Sequence, residues 1–230
     1  MAEILPINFP IPPESALANY NWTDIASGTG YISYYGGMLS ESGALFYQLS
    51  SNTFYSQRVM TRVTTNSGAY TKTHDIDFDI KFKSHRTIKG DLIASVPVMI
   101  YAPGVTGFNG YVYPIVKVRK WNGTAETEIA SGTGKELNFA ITAINTHLRG
   151  VAGVFVSIPE TVYAKDETLR ITVELWSKAD GVNTLAFYLG HDPKNRATTG
   201  FDTAETGGTA NTFDTEPSNL IFQIPFRIDL

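Results

Sequence analysis

The chain has 230 residues, 43% of them hydrophobic and only 17% charged, which is enough apolar material for a sizeable core and excludes an intrinsically disordered polymer. A net charge of −4 without a bulk basic face argues against a nucleic-acid binder, and the lack of cysteine excludes disulfides, thiolate zinc sites and a cysteine nucleophile. No run of roughly 20 apolar residues exists for a membrane-spanning helix, and residues 1–6 lack the basic and apolar regions of a signal peptide, so neither nucleic acid nor membrane is an expected partner.

Residues 1–30 read as an extended arm. Pro6, Pro10, Pro12 and Pro13 deny ladder donors and helix continuity. Ile4, Leu5, Ile7, Phe9 and Ile11 need cover. Such an arm either straps its own domain or lies on a neighbouring subunit, since N-terminal segments stay ordered only when tied down. Leu5, Ile7, Phe9, Pro10 and Ile11 are the residues expected at an oligomer or capsid interface. Residues 31–230 read as a single domain.

Tyr31–Tyr35 and Ala44–Leu49 are strands separated by Gly36-Gly37, a turn signal. Ser56–Thr64 is a strand with Arg58 and Arg62 on one face, Val59 and Val63 on the other. Asp75–Lys83 alternates strictly. Ile76, Phe78, Ile80 and Phe82 fall on one side, and Asp75, Asp77, Asp79, Lys81 and Lys83 on the other, the mark of a half-buried strand. Arg58 and Arg62 are placed to pair across strands with Asp75–Asp79. Asp91–Tyr101 puts Leu92, Ala94, Val96, Val98 and Ile100 on one face, and Pro97 on the other suggests an edge or a bulge.

Gly104–Gly110 is a glycine-rich loop carrying Phe108. Tyr111–Trp121 is a long strand, turned by Asn122-Gly123 into Glu126–Ala130; Asn-Gly between alternating runs is a strong hairpin signal. Phe139–Leu148 reads as a short helix or a loop. Val151–Ile158 is a strand ended by Pro159. Thr168–Trp176 is a strand with Leu169, Ile171, Val173 and Leu175 inward and Arg170, Thr172, Glu174 and Trp176 outward. Thr184–Leu189 follows, then a polar loop over 190–196 and a long Thr- and Gly-rich loop over 200–217. The last strand is Asn219–Leu230, apolar at Leu220, Phe222, Ile224, Phe226 and Ile228. About ten strands with almost no helix define an all-β class, an antiparallel β-sandwich of jelly-roll-like type with an N-terminal arm. The repeat of residues 25–30 at 129–134 reads as shared turn chemistry.

No catalytic, cofactor or metal motif is present. Gly132-Thr133-Gly134-Lys135 lacks the leading glycine and the Ser or Thr of a phosphate loop. Asp75, Asp77 and Asp79 lack the glycine and glutamate of a calcium loop, and read as a charge stripe. His74, His85, His147 and His191 have no metal spacing, and His191 sits in a structural loop. No nucleophile–base pair can be named, so the chain reads as non-enzymatic. Aromatic residues are the one functional hint. Tyr101, Phe108, Tyr111, Tyr113 and Trp121 cluster around one strand and its loops, and outward Trp176 joins them. They suit either packing, within the protein or between subunits, or sugar stacking. The low charge leaves a surface of Ser, Thr, Asn, Gly and Tyr, which fits self-association or sugar recognition.

The stretches Lys117–Ile129, Glu167–Trp176 and Ile224–Leu230 resemble virion proteins of tailed viruses. From about Tyr31 onward the usage of strands and turns is similar to β-sandwich head-decoration, or cement, proteins. That resemblance implies a non-enzymatic particle component, made in the host cytoplasm and resident in the virion. It also implies a homo-oligomer, most commonly a trimer, on the major capsid protein or other virion proteins. The alternative is a carbohydrate- or receptor-binding module of a fibre or tail, using Phe108, Tyr111, Tyr113, Trp121 and Trp176.

Overall fold

The computed structural model describes residues 18–19, 29–41, 44–58, 60–104, 106–180, 184–194 and 218–227. These residues carry thirteen strands and no helix. β1 is Ala18–Asn19, β2 Thr29–Glu41, β3 Ala44–Ser50, β4 Met60–Thr65, β5 Thr71–Lys81 and β6 Arg86–Ala102. β7 is Phe108–Trp121, β8 Glu126–Thr133, β9 Leu137–Ile141, β10 Thr146–Tyr163, β11 Thr168–Ala179, β12 Leu185–Gly190 and β13 Leu220–Arg227. All belong to one hydrogen-bonded sheet. Its main path runs β4-β12-β6-β13-β2-β3-β5-β11-β7-β8, with β1 beside β2, β10 beside β6 and β9 beside β7. One pairing departs from the antiparallel expectation: β3 and β5 run parallel at Gln48 and Asp79.

The alternating runs bury the residues that their period selects. Phe78 from β5, Leu92, Val96, Val98 and Ile100 from β6, Leu169, Ile171, Val173 and Leu175 from β11, and Phe222 from β13 are all sealed from solvent in one apolar cluster. Each such side chain contributes roughly 1.5–3 kcal/mol on burial. The two ends of the sheet meet across this cluster. A Cβ on Gly110 of β7 would stand 2.8 Å from Leu185 of β12, and one on Gly132 of β8 would stand 2.1 Å from the Phe155 carbonyl oxygen of β10. That last approach is backbone on backbone, so only glycine fits.

Several sequence expectations are corrected by the packing. Gly36-Gly37 is not a turn but the middle of β2, paired to β3 and, at Gly36, also to Leu220 of β13. Gly36 is there because Leu220 and Phe78 close over it, at 2.8 and 3.0 Å from where a Cβ would sit. Strand β4 begins at Met60, not Ser56. Ser56 is tied to β2 instead, its Oγ accepting from the Met38 N–H at 2.9 Å, and the Gln57 N–H donates to the Met38 carbonyl at 2.7 Å.

The stretch read as helix or loop contains strand β9, which pairs with Phe108–Val112 of β7. Ile141 is buried while Ile144 is 58% exposed, so the helical face of Ile141, Ile144 and Leu148 does not exist. Asn145, at φ 54°, turns the chain into β10. Pro159 does not end β10: the pairing with β6 skips from Ile158 to Thr161, and a bulge spares the proline a ladder hydrogen bond. Pro97 lies in a central strand. It occupies the gap where the partner of β6 changes from β13, at Ser95, to β12, at Val98. The second copy of the internal repeat ends strand β8 rather than forming a turn. The Asn122-Gly123 hairpin forms as expected. The Asn122 side-chain oxygen accepts from the Thr124 and Ala125 N–H groups at 2.9 and 2.8 Å, and Gly123 takes φ 95°. Leu5, Ile7, Phe9, Pro10 and Ile11, the loop over 200–217, Val59 and Ile228 lie outside the described residues.

Candidate functional site

Strand β11 lies between β5 and β7, and its even-numbered residues form the spine of a polar face opposite the core. Register makes rows across it. Arg170 stands beside Asp79 and Arg119, Thr172 beside Asp77 and Lys117, Glu174 beside Asp75 and Ile115, Trp176 beside Lys72 and Tyr113, and Lys178 beside Tyr111. The pairing with β5 slips between Leu175 and Trp176. That bulge switches the outward parity of β5, so Tyr70 and Lys72 share a face with Asp75, Asp77 and Asp79.

The upper rows are a charge lattice. Arg170 donates to both oxygens of Asp79, each at 2.8 Å. Arg170 and Arg119 are like charges in directly paired positions, and Glu126 separates them, one oxygen 2.5 Å from Arg119 and the other 3.2 Å from Arg170. The hydrogen bonds from Arg170 to Asp79 raise its already high pKa further. The stripe of Asp75, Asp77 and Asp79 is thus paired, but by Arg170 and Lys72, not by Arg58 and Arg62 as expected. Strand β4 forms its ladder with β12 at the end of the sheet path, and Arg62 packs over the Tyr188 ring there.

Glu174 is the pivot of the face. It is 3% exposed, where alternation predicted a solvent-facing residue, and Thr172 is fully buried beside it. One Glu174 oxygen accepts from Lys117 at 2.7 Å and Lys72 at 3.4 Å, and the other accepts the Trp176 indole N–H at 2.9 Å. Burial pushes the carboxyl pKa up, but the hydrogen bonds from Lys117 and Trp176 outweigh it and hold the group below the usual range.

The lower rows are aromatic. Tyr113 and Trp176 lie parallel to within 7°, with ring centroids 6.5 Å apart. That separation is at the wide end of the range for a parallel aromatic pair. Tyr70 stands edge-on to Tyr113 at 5.0 Å. The Lys178 ammonium lies 4.8 Å from the Tyr70 ring centre and 4.3 Å from that of Tyr111. The Tyr111 hydroxyl donates to Asp180 at 3.0 Å, and the Tyr70 hydroxyl donates to Glu136. These bonds to carboxylates raise both phenol pKa values, with burial the larger cause at Tyr70 and the Asp180 bond the larger at Tyr111.

The six aromatics named from sequence do not form one cluster. Tyr111, Tyr113 and Trp176 come together with Tyr70, which sequence reading missed. Its signal was its place two residues before Lys72 on the same face. Trp121 lies eight residues further along β7 than Tyr113, under the Arg170 guanidinium at 5.2 Å. Phe108 pairs with Ile141 and packs against the core. Tyr101 stacks on His147 in another part of the sheet, with centroids 4.4 Å apart.

A second polar centre is buried. The Thr61 hydroxyl bonds to His191 Nε2 at 2.9 Å and Tyr47 Oη at 3.0 Å, while its carbonyl bonds to His74 Nε2 at 2.9 Å. Thr73 extends the chain from His74 Nδ1 to the Ser177 hydroxyl. Burial pushes the pKa of His74 down to about 4 and that of His191 to about 3. Both are neutral imidazoles near pH 7, and they tie β3, β4, β5 and β12 together. Among the described residues no three His, Asp or Glu side chains converge to hold a metal ion.

No protein-family model matches the chain, and no curated protein sequence does. Among solved structures it is similar to a CocE/NonD family hydrolase from Staphylococcus aureus, at 11% identity and TM-score 0.45 over 86% of this chain and 37% of that one. It is similar to an aminopeptidase from a marine sediment archaeon, Thaumarchaeota archaeon, at 6% identity and TM-score 0.47 over 85% of this chain and 37% of that one. It is also similar to an α-amino acid ester hydrolase, at 6% identity and TM-score 0.47 over 85% of this chain and 36% of that one. The chain thus spans well under half the length of these proteins, and their chemistry is not transferred to it.

Proposed function

We propose that this chain is a non-enzymatic structural component of a virus particle, a capsid decoration or cement protein whose β-sheet folds as a jelly-roll-like sandwich. It resides in the virion as a homo-oligomer, a trimer, against the major capsid protein or another virion protein. The observation that carries this reading is the outward side of β10, where Val151, Gly153 and Phe155 stand in line, Phe155 68% and Val151 38% exposed, with Val162, past the bulge, 46% exposed. An apolar row on a regular sheet face is the kind of surface that a subunit contact covers. The resemblance of Lys117–Ile129 and Glu167–Trp176 to virion proteins and the apolar composition of residues 1–17 point the same way. The test is native mass by light scattering after size exclusion, across a concentration series. A concentration-independent trimer that Phe155→Asp or removal of residues 1–20 dissociates supports the reading. A monomer that also fails to co-sediment with capsids sinks it.

A second reading is a carbohydrate- or receptor-binding module of a fibre or tail. It is favoured by one specific observation, the parallel Tyr113 and Trp176 rings on an outward face. Its test is binding to a broad glycan panel.

A further inference from the structure

We infer that the lower rows of the β5–β11–β7 face bind a neutral, pyranose-based glycan, with Tyr113 and Trp176 as the platform and Lys178 as the hydroxyl donor. This rests on the second reading above and names its ligand class.

Three observations carry it. First, the platform is preorganised. The Trp176 indole N–H is held by Glu174, itself nearly sealed from solvent and anchored by Lys117 and Lys72. Tyr113 is held edge-on by Tyr70. Rings already locked in place lose little freedom on binding. Second, their geometry suits a sugar. Tyr113 and Trp176 are parallel to within 7°, direct neighbours across β7 and β11 and only half-buried, and a pyranose offers a face of C–H groups to aromatic rings of this kind. Third, the rim matches hydroxyls rather than an anion. Lys178 donates, while the carboxylates of Asp180 and Glu136 accept, each already oriented by a tyrosine hydroxyl. Lys72 is likewise matched by Asp75. Among the described residues no surplus of positive charge awaits an anionic ligand, and carboxylates at the rim repel one.

The experiment is a binding series with the whole chain, read by isothermal calorimetry and by tryptophan fluorescence. Neutral glucans, mannans and galactans are set against polyuronates and sulfated galactans. The expected result is binding of at least one neutral glycan and of no anionic one. Trp176→Ala and Tyr113→Ala should each weaken binding by about tenfold or more, and Trp121→Ala should leave it unchanged. Trp176→Phe keeps an aromatic face without the indole N–H, so retained binding there separates stacking from misfolding, with thermal melts on every variant. Binding of anionic glycans alone overturns the inference and leaves the glycan reading standing. Equal binding of both classes overturns the charge argument. Loss on Trp121→Ala but not on Trp176→Ala puts the site elsewhere and overturns the inference. Silence across the panel overturns both.

Discussion

The molecule holds two polar networks built on opposite principles. On the outer face of β11, hydrogen bonds join Arg170 to Asp79 and Glu126, and Lys117 to Glu174, and Glu174 keeps its charge because its hydrogen bonds outweigh its burial. Around Thr61, two histidines reach nearly complete burial, and there they are neutral. The comparison teaches that the partner decides. A buried carboxylate with two lysines and an indole N–H keeps its charge, whereas a buried imidazole bonded to a hydroxyl or a carbonyl in an apolar setting gives its proton up.

The largest expected effect comes from acid. Both histidines have folded pKa values below the ordinary 6.5, so their stabilising contribution is complete above about pH 6.5. It is lost as pH falls toward about 4 for His74 and about 3 for His191, on the order of 3 and 5 kcal/mol respectively. Urea unfolding midpoints should therefore drop between pH 6.5 and 4, and the double variant His74→Gln, His191→Gln should flatten that slope. An unchanged slope in the double variant would show that other groups set it. Glu174, whose pKa is also lowered, acts in the same direction but only below about pH 4.5, so of the two networks only the histidines contribute to the fall between pH 6.5 and 4.5.

Next comes Glu174→Ala, which leaves Lys117 and the indole N–H without their acceptor. Removing one partner of a buried pair costs about 3 kcal/mol, read as a thermal or denaturant shift at pH 7. Glu174→Gln should recover part of it by still accepting from Trp176. Smaller again is Arg170→Lys, which replaces a two-pronged bond to Asp79 with a point charge and should cost about 1 kcal/mol. Salt should shrink that difference, and a salt-independent loss would assign it to packing on Trp121 instead. The smallest is Lys89→Ala. Its bridge to Glu160 joins two exposed side chains, 58% and 44% accessible, and no measurable change in melting temperature is expected.

Much of this was legible from residue order. The alternations in β5, β6, β11 and β13 named the buried sides correctly, and Asn122-Gly123 named its hairpin, because both signals are local. The failures share one cause. Gly36-Gly37 looked like a turn because glycine is permissive, yet it serves the close approach of Leu220 and Phe78 from distant strands. Pro97 looked like an edge or a bulge and Pro159 like a stop, yet Pro97 occupies a point where the ladder changes partner and Pro159 lies in a bulge within β10. In the candidate site, Tyr111, Tyr113 and Trp176 were named but Tyr70 was not, because the bulge at Leu175 and Trp176 breaks a simple count of two along β5.

The sequence by itself determined the all-β class, the inward sets of β5, β6, β11 and β13 and the outward side of Arg170 and Trp176 on β11. It could do so because a period of two is set by the pleat of each strand alone. Only the tertiary structure decided which rows those residues form. It also decided that Glu174 is buried though it faces outward, that Arg170 rather than Arg58 meets the aspartates, and that His74 and His191 share Thr61. Register and burial depend on which strands become neighbours, and in this chain those neighbours come from far apart along it: β5 with β11, β6 with β13, and the backbone of β8 against that of β10.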